Sequence, residues 1–257
     1  MKSIIIVTYN SAFYIDSCLA SIGKNISSPD QVFLIDNNSA DDTVKRINEF
    51  IKNKNNFKLI VQKNNLGFAK AVNIGFEMSQ GDDIFLINPD TKFEAGILDA
   101  AISLANQKSA GICGVKQINE MRRPLGSFGK YPSMISNFFE TIQLAKIFPL
   151  GLYVRYNFFT KKLFFSNRQV DWVGGGFMLI KKEVIEKIGK MDENFFMYLE
   201  DVDFCQRAKK AGFAVWFFGS IEIWHYGGKS FSKKNSLEQK KYNRESLKYF
   251  MQKHKTL

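Results

Sequence analysis

Three carboxylates lie within four residues of the chain, at the predicted start of a helix. They are Glu200, Asp201 and Asp203, and they follow the aromatic stretch 195–198. Acids at the head of a helix offset its dipole, which accounts for one or two of them. The aromatic stretch would wall a pocket, and a carboxylate that faces a pocket can take a proton from a hydroxyl group. We therefore predict a general base at this helix start.

A second candidate group combines one acid with one imidazole. Asp90 follows a predicted buried strand, next to Asn88 and Pro89, and His225 ends a later strand. A hard divalent ion that bridges phosphate oxygens needs few protein ligands, so this pair is sufficient to hold it. Alone, a histidine in such a place is more often structural. The other histidine, His254, is expected to be solvated in the C-terminal tail.

A run of three glycines, Gly174–Gly176, follows Trp172 and leads into a predicted strand. Glycines permit unusual backbone angles and let a ligand approach the backbone closely. We predict a binding loop here, and a plain turn is the alternative.

The elements that must position these residues alternate along the chain. Over the first 115 residues, helix-period stretches separate five predicted strands: Ser3–Thr8, Val32–Asp36, Lys58–Val61, Ile84–Asn88 and Ile112–Val115. Later strands are predicted at Phe177–Ile180, Ala214–Phe218 and Ile221–Trp224, and a helix is predicted to run to Lys210. Four of the first five strands are nearly all apolar, which is typical of strands covered by helices on both faces. The pattern predicts an α/β fold with a doubly wound, mainly parallel sheet.

Ligands of such sheets bind beyond the carboxyl ends of the strands. Polar segments lie there: 8–10, 36–39 and 88–90 end strands, and 64–68 opens a helix. One such segment is ordinary turn chemistry, but four at one sheet edge indicate a site for a nucleotide and its metal.

Charge is unevenly distributed over the 257 residues. The chain has 36 Lys and Arg against 25 Asp and Glu, a net charge of +11. Residues 121–170 and 229–257 each carry +7, so the rest carries −3. A basic protein suggests a polyanionic partner, here at those two segments. Nucleic acid is not the expected partner, because the excess lies outside the predicted sheet and no known nucleic-acid motif is present.

Composition sets the remaining limits. Hydrophobic residues make up 45% of the chain, which is typical of a globular protein. No window approaches 18 consecutive apolar residues, so no membrane-spanning helix is expected. The three cysteines, Cys18, Cys113 and Cys205, lie in apolar surroundings and are expected to be reduced, which favours a cytoplasmic protein.

Residues 121–170 interrupt the alternation with 11 aromatics among basic residues. The stretch 138–148 is compatible with an amphipathic helix. We interpret 121–170 as an inserted helical segment that is partly exposed and faces an acceptor or an anionic membrane surface. A helical subdomain packed on the sheet is the alternative. The tail 231–257 either binds the membrane with it or is a solvated helix.

Taken together, the motifs resemble those of the family 2 inverting glycosyltransferases, which have the GT-A fold, and within them the rhamnosyltransferase-like branch. The resemblance covers about residues 1–230 in the right order. The segments that carry it are 4–10, 35–41, 65–69, 86–90, 171–176, 195–204 and 225–228. As a set they are specific, although each alone is not.

The resemblance implies roles for individual residues. Asp201 would be the catalytic base, with Glu200 beside it orienting the acceptor. The segment 88–90 stands at the family's Asp-x-Asp metal motif, with Asn88 at the first position, so that Asp90 and His225 would hold Mn²⁺ or Mg²⁺. Thr8, Tyr9, Asn10 and Asp36 would line the pocket for the base and ribose of the donor, with Asn38 and Gly67 nearby. Asn88 and Asp90 would complete the donor site at the metal, and Trp172 and Gly175 would shape the pocket for the donor sugar and the acceptor.

The resemblance also implies an organisation and a reaction. Residues 1–118 would bind the nucleotide-sugar, 121–170 would face the acceptor, and 171–230 would carry catalysis. The expected reaction transfers a sugar to a saccharide or lipid-linked acceptor. The first candidate donor is dTDP-rhamnose, which would supply rhamnose. UDP-linked galactofuranose, glucose or N-acetylhexosamine are alternative donors. A nucleotidyltransferase is disfavoured, because 3–10 lacks a glycine-rich triphosphate loop.

Overall fold

The computed structural model describes residues 1–132, 161–226 and 235–254 of the chain. The stretch 138–148, for which a helix is expected, therefore lies outside the described residues. In chain order the strands are β1 Lys2–Thr8, β2 Gln31–Asp36, β3 Phe57–Val61, β4 Asp83–Ile87, β5 Thr91–Lys92, β6 Ala110–Ile118, β7 Phe128–Gly129, β8 Asn167–Gln169, β9 Trp172–Val173, β10 Phe177–Lys181 and β11 Ala214–His225. The α-helices are α1 Ile15–Gly23, α2 Thr43–Ile51, α3 Phe68–Met78, α4 Ile97–Gln107, α5 Lys182–Ile188, α6 Glu200–Lys210 and α7 Asn235–His254, and a 3₁₀ turn spans Lys161–Phe165.

Within the described ranges, nine strands form one mixed sheet in the order β3-β2-β1-β4-β10-β6-β11-β5, with β8 paired to β11. The pairs β1–β2, β1–β4, β2–β3 and β6–β11 are parallel. The predicted α/β fold with a mainly parallel sheet is thus confirmed. Three strands run against it: β10 lies antiparallel between β4 and β6, and the short strands β5 and β8 pair antiparallel with β11.

Strand β10 joins the two parts of the chain. It comes from the later half and pairs with β4 and β6 of the earlier half, so both halves share one sheet. The two strands predicted at 214–218 and 221–224 are one strand, β11, whose register with β6 shifts between Phe218 and Glu222. This irregularity explains why the sequence pattern suggested a break.

The core occupies both faces of the sheet. Side chains of β1 alternate between two apolar clusters: Ile5 and Val7 pack on the side of α3, and Ile4 and Ile6 pack on the side of α1. Burial on both faces explains the continuous apolar runs from which the strands were predicted. It also leaves only the strand ends free for polar residues, which positions the site.

Candidate functional site

A cleft of about 340 Å³ opens where the carboxyl ends of the parallel strands meet. Its floor includes the residues after β1 and β4 and the end of β11, and its far wall is the start of α6. Most of the residues expected in the site line it: Tyr9, Gly67, Asn88, Asp90, Trp172, Gly175, Glu200, Asp201 and His225. The fold therefore brings the predicted acids, the Asp90–His225 pair and the glycine loop into one cavity.

The first turn of α6 holds the two acids Glu200 and Asp201. Asp201 accepts two backbone hydrogen bonds, from Gly175 N to Oδ2 at 2.9 Å and from Val202 N to Oδ1 at 2.8 Å. Glu200 is 5% exposed, and its buried Oε2 has no hydrogen-bond partner among the described residues. Asp201 is therefore the better stabilised anion of the pair.

Burial raises the pKa of both carboxyl groups. For Glu200 desolvation raises the pKa well above its usual range, and the charge of Asp201 raises it further. For Asp201 desolvation raises the pKa, and the hydrogen bonds from Gly175 and Val202 oppose the rise. Asp201 accordingly ionises first, and an ionised carboxylate is the form that can accept a proton.

The third acid of the motif has a different function. Asp203 is fully buried and binds two cations and one imidazole: Arg207 Nε at 2.8 Å, Lys253 Nζ at 2.6 Å and His254 Nε2 at 2.7 Å. The expectation that His254 is solvated is wrong, because its side chain is only 4% exposed and packs against Phe250. Asp203 thus ties α7 to α6.

The glycine loop 174–176 contacts both Asp201 and the Asp90–His225 pair. Gly175 N donates to Asp201, and the carbonyl of Gly176 accepts a hydrogen bond from Asn88 N at 3.0 Å. A Cβ atom at Gly176 would lie 3.0 Å from the ring of His225. Close approach of this backbone to His225 therefore requires glycine, which favours a site loop over a plain turn.

Asp90 and His225 face each other across the cleft floor. His225 Nε2 lies 3.0 Å from Asp90 Oδ1, and His225 Nδ1 lies 2.6 Å from Oε1 of Gln117. Since the amide oxygen only accepts, Nδ1 carries the proton there, and Nε2 is directed at Asp90. An imidazole nitrogen and a carboxylate oxygen at this spacing suit Mn²⁺ or Mg²⁺.

A metal at this pair would need further ligands. In the described part of the chain no group of three or more His, Cys, Asp or Glu side chains could hold an ion. The donor set therefore fits an ion that completes its coordination with oxygens of a bound diphosphate and water, as sites for phosphate-bridging ions commonly do.

Four of the expected nucleotide-binding residues, Thr8, Asn10, Asp36 and Asn38, are not among those that line the cleft. Asp36 is fully buried, and its carboxylate accepts hydrogen bonds from Thr8 Oγ1 at 2.8 Å and from Ser39. Asn10 and Asn38 have φ angles of 49° and 66° and shape the adjoining turns. These residues build the edge of the site, and their contact with a nucleotide stays a prediction.

Asn37 is a site residue that the sequence analysis did not single out, although it belongs to the polar segment 36–39. It lines the cleft and is 3% exposed, and its Nδ2 donates to the carbonyl of Gly67 at 3.0 Å. This bond fixes the orientation of the amide and leaves its buried Oδ1 without a partner among the described residues. A buried oxygen without a partner can accept a hydrogen bond from an N–H or O–H group of a ligand.

The fold and this cleft define a glycosyltransferase of the GT-A type. The family described as glycosyl transferase family 2 matches residues 3–189, and the chain belongs to it. It is a glycosyltransferase, and its relatives include rhamnosyltransferases.

Individual comparisons agree with this assignment. The chain is 29% identical over 240 residues to an N-acetylglucosaminyl-diphospho-decaprenol L-rhamnosyltransferase of Mycobacterium tuberculosis, covering 87% of this chain and 75% of that protein. The fold is similar to that of S. aureus TarS 1-349 (TM-score 0.60, 18% identity, 90% of this chain and 61% of that one). It is also similar to GalNAc-T7 with UDP, GalNAc and Mn²⁺ (TM-score 0.65, 15% identity, 88% of this chain and 43% of that one).

Proposed function

We propose that the protein transfers a sugar from a nucleotide-sugar donor to a saccharide or lipid-linked acceptor with inversion at the anomeric carbon. Rhamnose from dTDP-rhamnose is the first candidate donor, and UDP-sugars are the alternative. The observation that carries the proposal is that one cleft holds the Glu200–Asp201 pair and the Asp90–His225 pair. The M. tuberculosis relative, an N-acetylglucosaminyl-diphospho-decaprenol L-rhamnosyltransferase, supports rhamnose as the transferred sugar and a lipid-linked acceptor.

Asp201 supplies the base in this proposal. It accepts the proton of the acceptor hydroxyl, whose oxygen bonds to the anomeric carbon as the bond to the diphosphate oxygen breaks. Because burial raises its pKa, Glu200 keeps its proton to a higher pH than Asp201. A protonated carboxyl group can donate a hydrogen bond, so Glu200 can orient the acceptor. A single displacement of this kind inverts the anomeric configuration.

Asp90 and His225 belong to the donor end of the cleft. A divalent ion held by them would offset the negative charge that grows on the leaving diphosphate. Gln117 keeps the His225 ring in place through the bond to Nδ1.

The test is a transfer assay with a lipid-linked saccharide acceptor and a panel of nucleotide-sugars. Wild-type protein should release nucleoside diphosphate with one donor, and NMR of the product should show the inverted anomer. Asp201→Asn should lower kcat by about 10²- to 10⁴-fold, the usual contribution of a general base, with folding unchanged. Retention of configuration, or an Asp201→Asn variant as active as wild type, would contradict the proposal.

We further propose that the basic residues place the enzyme at an anionic membrane surface on the cytoplasmic side. No helix in the described ranges is long and apolar enough to cross a membrane. Support comes from α7, whose exposed face carries Lys240, Lys241, Arg244 and Lys248. Anionic lipids attract such clusters.

A further inference from the structure

Helix α7 packs on the loop that leads into the catalytic acids. Its Tyr242 ring lies 4.7 Å from that of Phe196, Ser246 Oγ donates to the Met197 carbonyl at 2.8 Å, and Tyr249 OH donates to Asp192 Oδ2 at 2.9 Å. Phe250 is fully buried. Residues 242, 246, 249 and 250 recur at helical spacing, so one face of α7 makes all of these contacts.

The loop needs this support. Tyr198 and Leu199, directly before Glu200, have φ angles of 71° and 67°, a left-handed conformation that costs a side-chain-bearing residue free energy. Such backbone persists only where its surroundings hold it. On one side Phe68 N donates to the Phe196 carbonyl at 2.8 Å, and on the other side α7 holds the loop. The position of α7 is therefore fixed relative to Glu200 and Asp201.

Gln239 lies on the same face of α7 as Tyr242, one turn nearer the N-terminus of the helix. There the face no longer meets the core and instead reaches the cleft, which Gln239 lines together with Met197, Tyr198 and Glu200. Its side chain is partly buried, and it makes no hydrogen bond within the described part of the chain. The neighbouring Lys240 and Lys241 are exposed, so the residue that α7 turns to the cleft is a neutral amide.

We propose that Gln239 is a saccharide-binding residue of the cleft, which hydrogen-bonds a hydroxyl group of either the donor sugar or the acceptor sugar. An amide both donates and accepts, as does a sugar hydroxyl, so the two groups are complementary. This inference rests on the proposed function, because it requires a sugar in the cleft. It makes the C-terminal helix part of the binding site and not an appendage of the enzyme.

The test compares Gln239→Leu with Gln252→Leu, which makes the same change on an exposed position of the same helix. Calorimetry gives the Kd of dTDP and of dTDP-rhamnose, and transfer kinetics give the KM for the lipid-linked acceptor. The Kd of dTDP should be unchanged in Gln239→Leu, because dTDP has no transferred sugar. A neutral hydrogen bond is worth about a three- to tenfold change in affinity. That loss should appear in the Kd of dTDP-rhamnose if the donor sugar is bound, and in the acceptor KM if the acceptor is bound.

Gln239→Ala repeats the test with a smaller side chain, and melting temperatures show that each variant is folded. The inference is overturned if both Gln239 variants match Gln252→Leu in all three constants while the wild type is active. A wild type that binds no dTDP-sugar or UDP-sugar would instead overturn the proposed function, and the inference with it.

Discussion

Glu200 and Asp201 place two acids in a buried site, and this arrangement costs stability. Because burial raises the pKa of Glu200 above its unfolded value, the folded state holds that proton more tightly. The stability contributed by the protonated group is present at acidic pH and is lost as the pH rises toward the raised pKa. Burial of Glu200 beside Asp201 therefore lowers the free energy of unfolding at neutral pH relative to acidic pH.

We expect Glu200→Gln to melt at a higher temperature than wild type at neutral pH, because glutamine does not ionise. The difference should vanish at a pH below the ordinary range of carboxyl pKa values. Thermal melts across pH measure it, with the exposed Glu49→Gln as the control. A difference that does not change with pH would show that Glu200 is not protonated preferentially in the folded state.

Asn37 offers a second test at a single residue. Its orphaned Oδ1 should accept a hydrogen bond from the bound nucleotide, so Asn37→Leu should weaken the Kd of dTDP or UDP by about three- to tenfold. Calorimetry measures the Kd, and the melting temperature of the free variant reports its folding. An unchanged Kd would mean that the amide serves only its bond to the Gly67 carbonyl.

The sequence indicates some site residues far better than others. Asp90, Asp201 and His225 were predictable because they end strands or begin a helix next to glycine or aromatic residues. Gln117 was not, since it lies within the buried strand β6 and contacts His225 only through the pairing of β6 with β11. Gln239 was also hidden, because the face it shares with Tyr242 and Ser246 mixes polar and aromatic residues and has a weak apolar period.

Among the elements, the start of α3 contacts the loop 195–199, which precedes Glu200 and Asp201. Gly67 has a φ angle of 82°, and a Cβ atom there would lie 2.5 Å from the Phe196 carbonyl oxygen. The carbonyl that Gly67 meets also accepts the hydrogen bond from Phe68 N. A side chain at position 67 would therefore push the loop 195–199 away from α3.

Gly67→Ala and Gly189→Ala form a matched pair, because both glycines combine a positive φ with an extended ψ (82° and 175°, 76° and −171°) but only Gly67 has neighbours within reach of a Cβ atom. The backbone strain should cost each variant about 1–3 kcal/mol. Overpacking should cost Gly67→Ala roughly 1–3 kcal/mol more and lower kcat as well. Urea unfolding and the transfer assay measure both effects. Equal stability and activity of the two variants would mean that the contact with Phe196 does not position the loop.

The order of elements was predictable, but the direction of β10 was not. Alternation of strands and helices gives the parallel strands β1 to β4, because each helix carries the chain back across the sheet. An apolar run such as 177–181 does not indicate which way it runs. Its antiparallel pairing with β4 and β6 follows from the loop at 174–176, which enters the sheet from the cleft side.

At the scale of the whole molecule, we expect the basic outer face of α7 to determine whether the enzyme binds an anionic membrane surface. Helix α7 is anchored by its inner face through the Asp203 cluster, so its basic outer face can be changed without removing the helix. This makes substitution a cleaner test of membrane binding than deletion of the tail, which would also remove the buried Phe250 and two of the three partners of Asp203.

Replacing Lys240, Lys241, Arg244 and Lys248 by glutamine should weaken binding to vesicles with phosphatidylserine at least tenfold, since each basic residue near such a surface contributes about 1 kcal/mol. The control replaces Lys45, Lys52, Lys58 and Lys63, which are exposed elsewhere on the molecule. Flotation of vesicles at low and high salt measures binding. Equal loss in both quadruple variants would mean that only net charge matters and that α7 does not face the membrane.

The central claim is that the cleft binds a nucleotide-sugar through Asp90 and His225 while Asp201 performs the transfer. The most direct measurement is the shift in melting temperature with a panel of nucleotide-sugars, with and without Mn²⁺ or Mg²⁺, because ligands of the folded state stabilise it by mass action. One donor should give a shift that depends on the metal, is lost in Asp90→Asn and persists in Asp201→Asn. A shift that is absent for every donor, or equally large and metal-dependent in Asp90→Asn, would contradict the account.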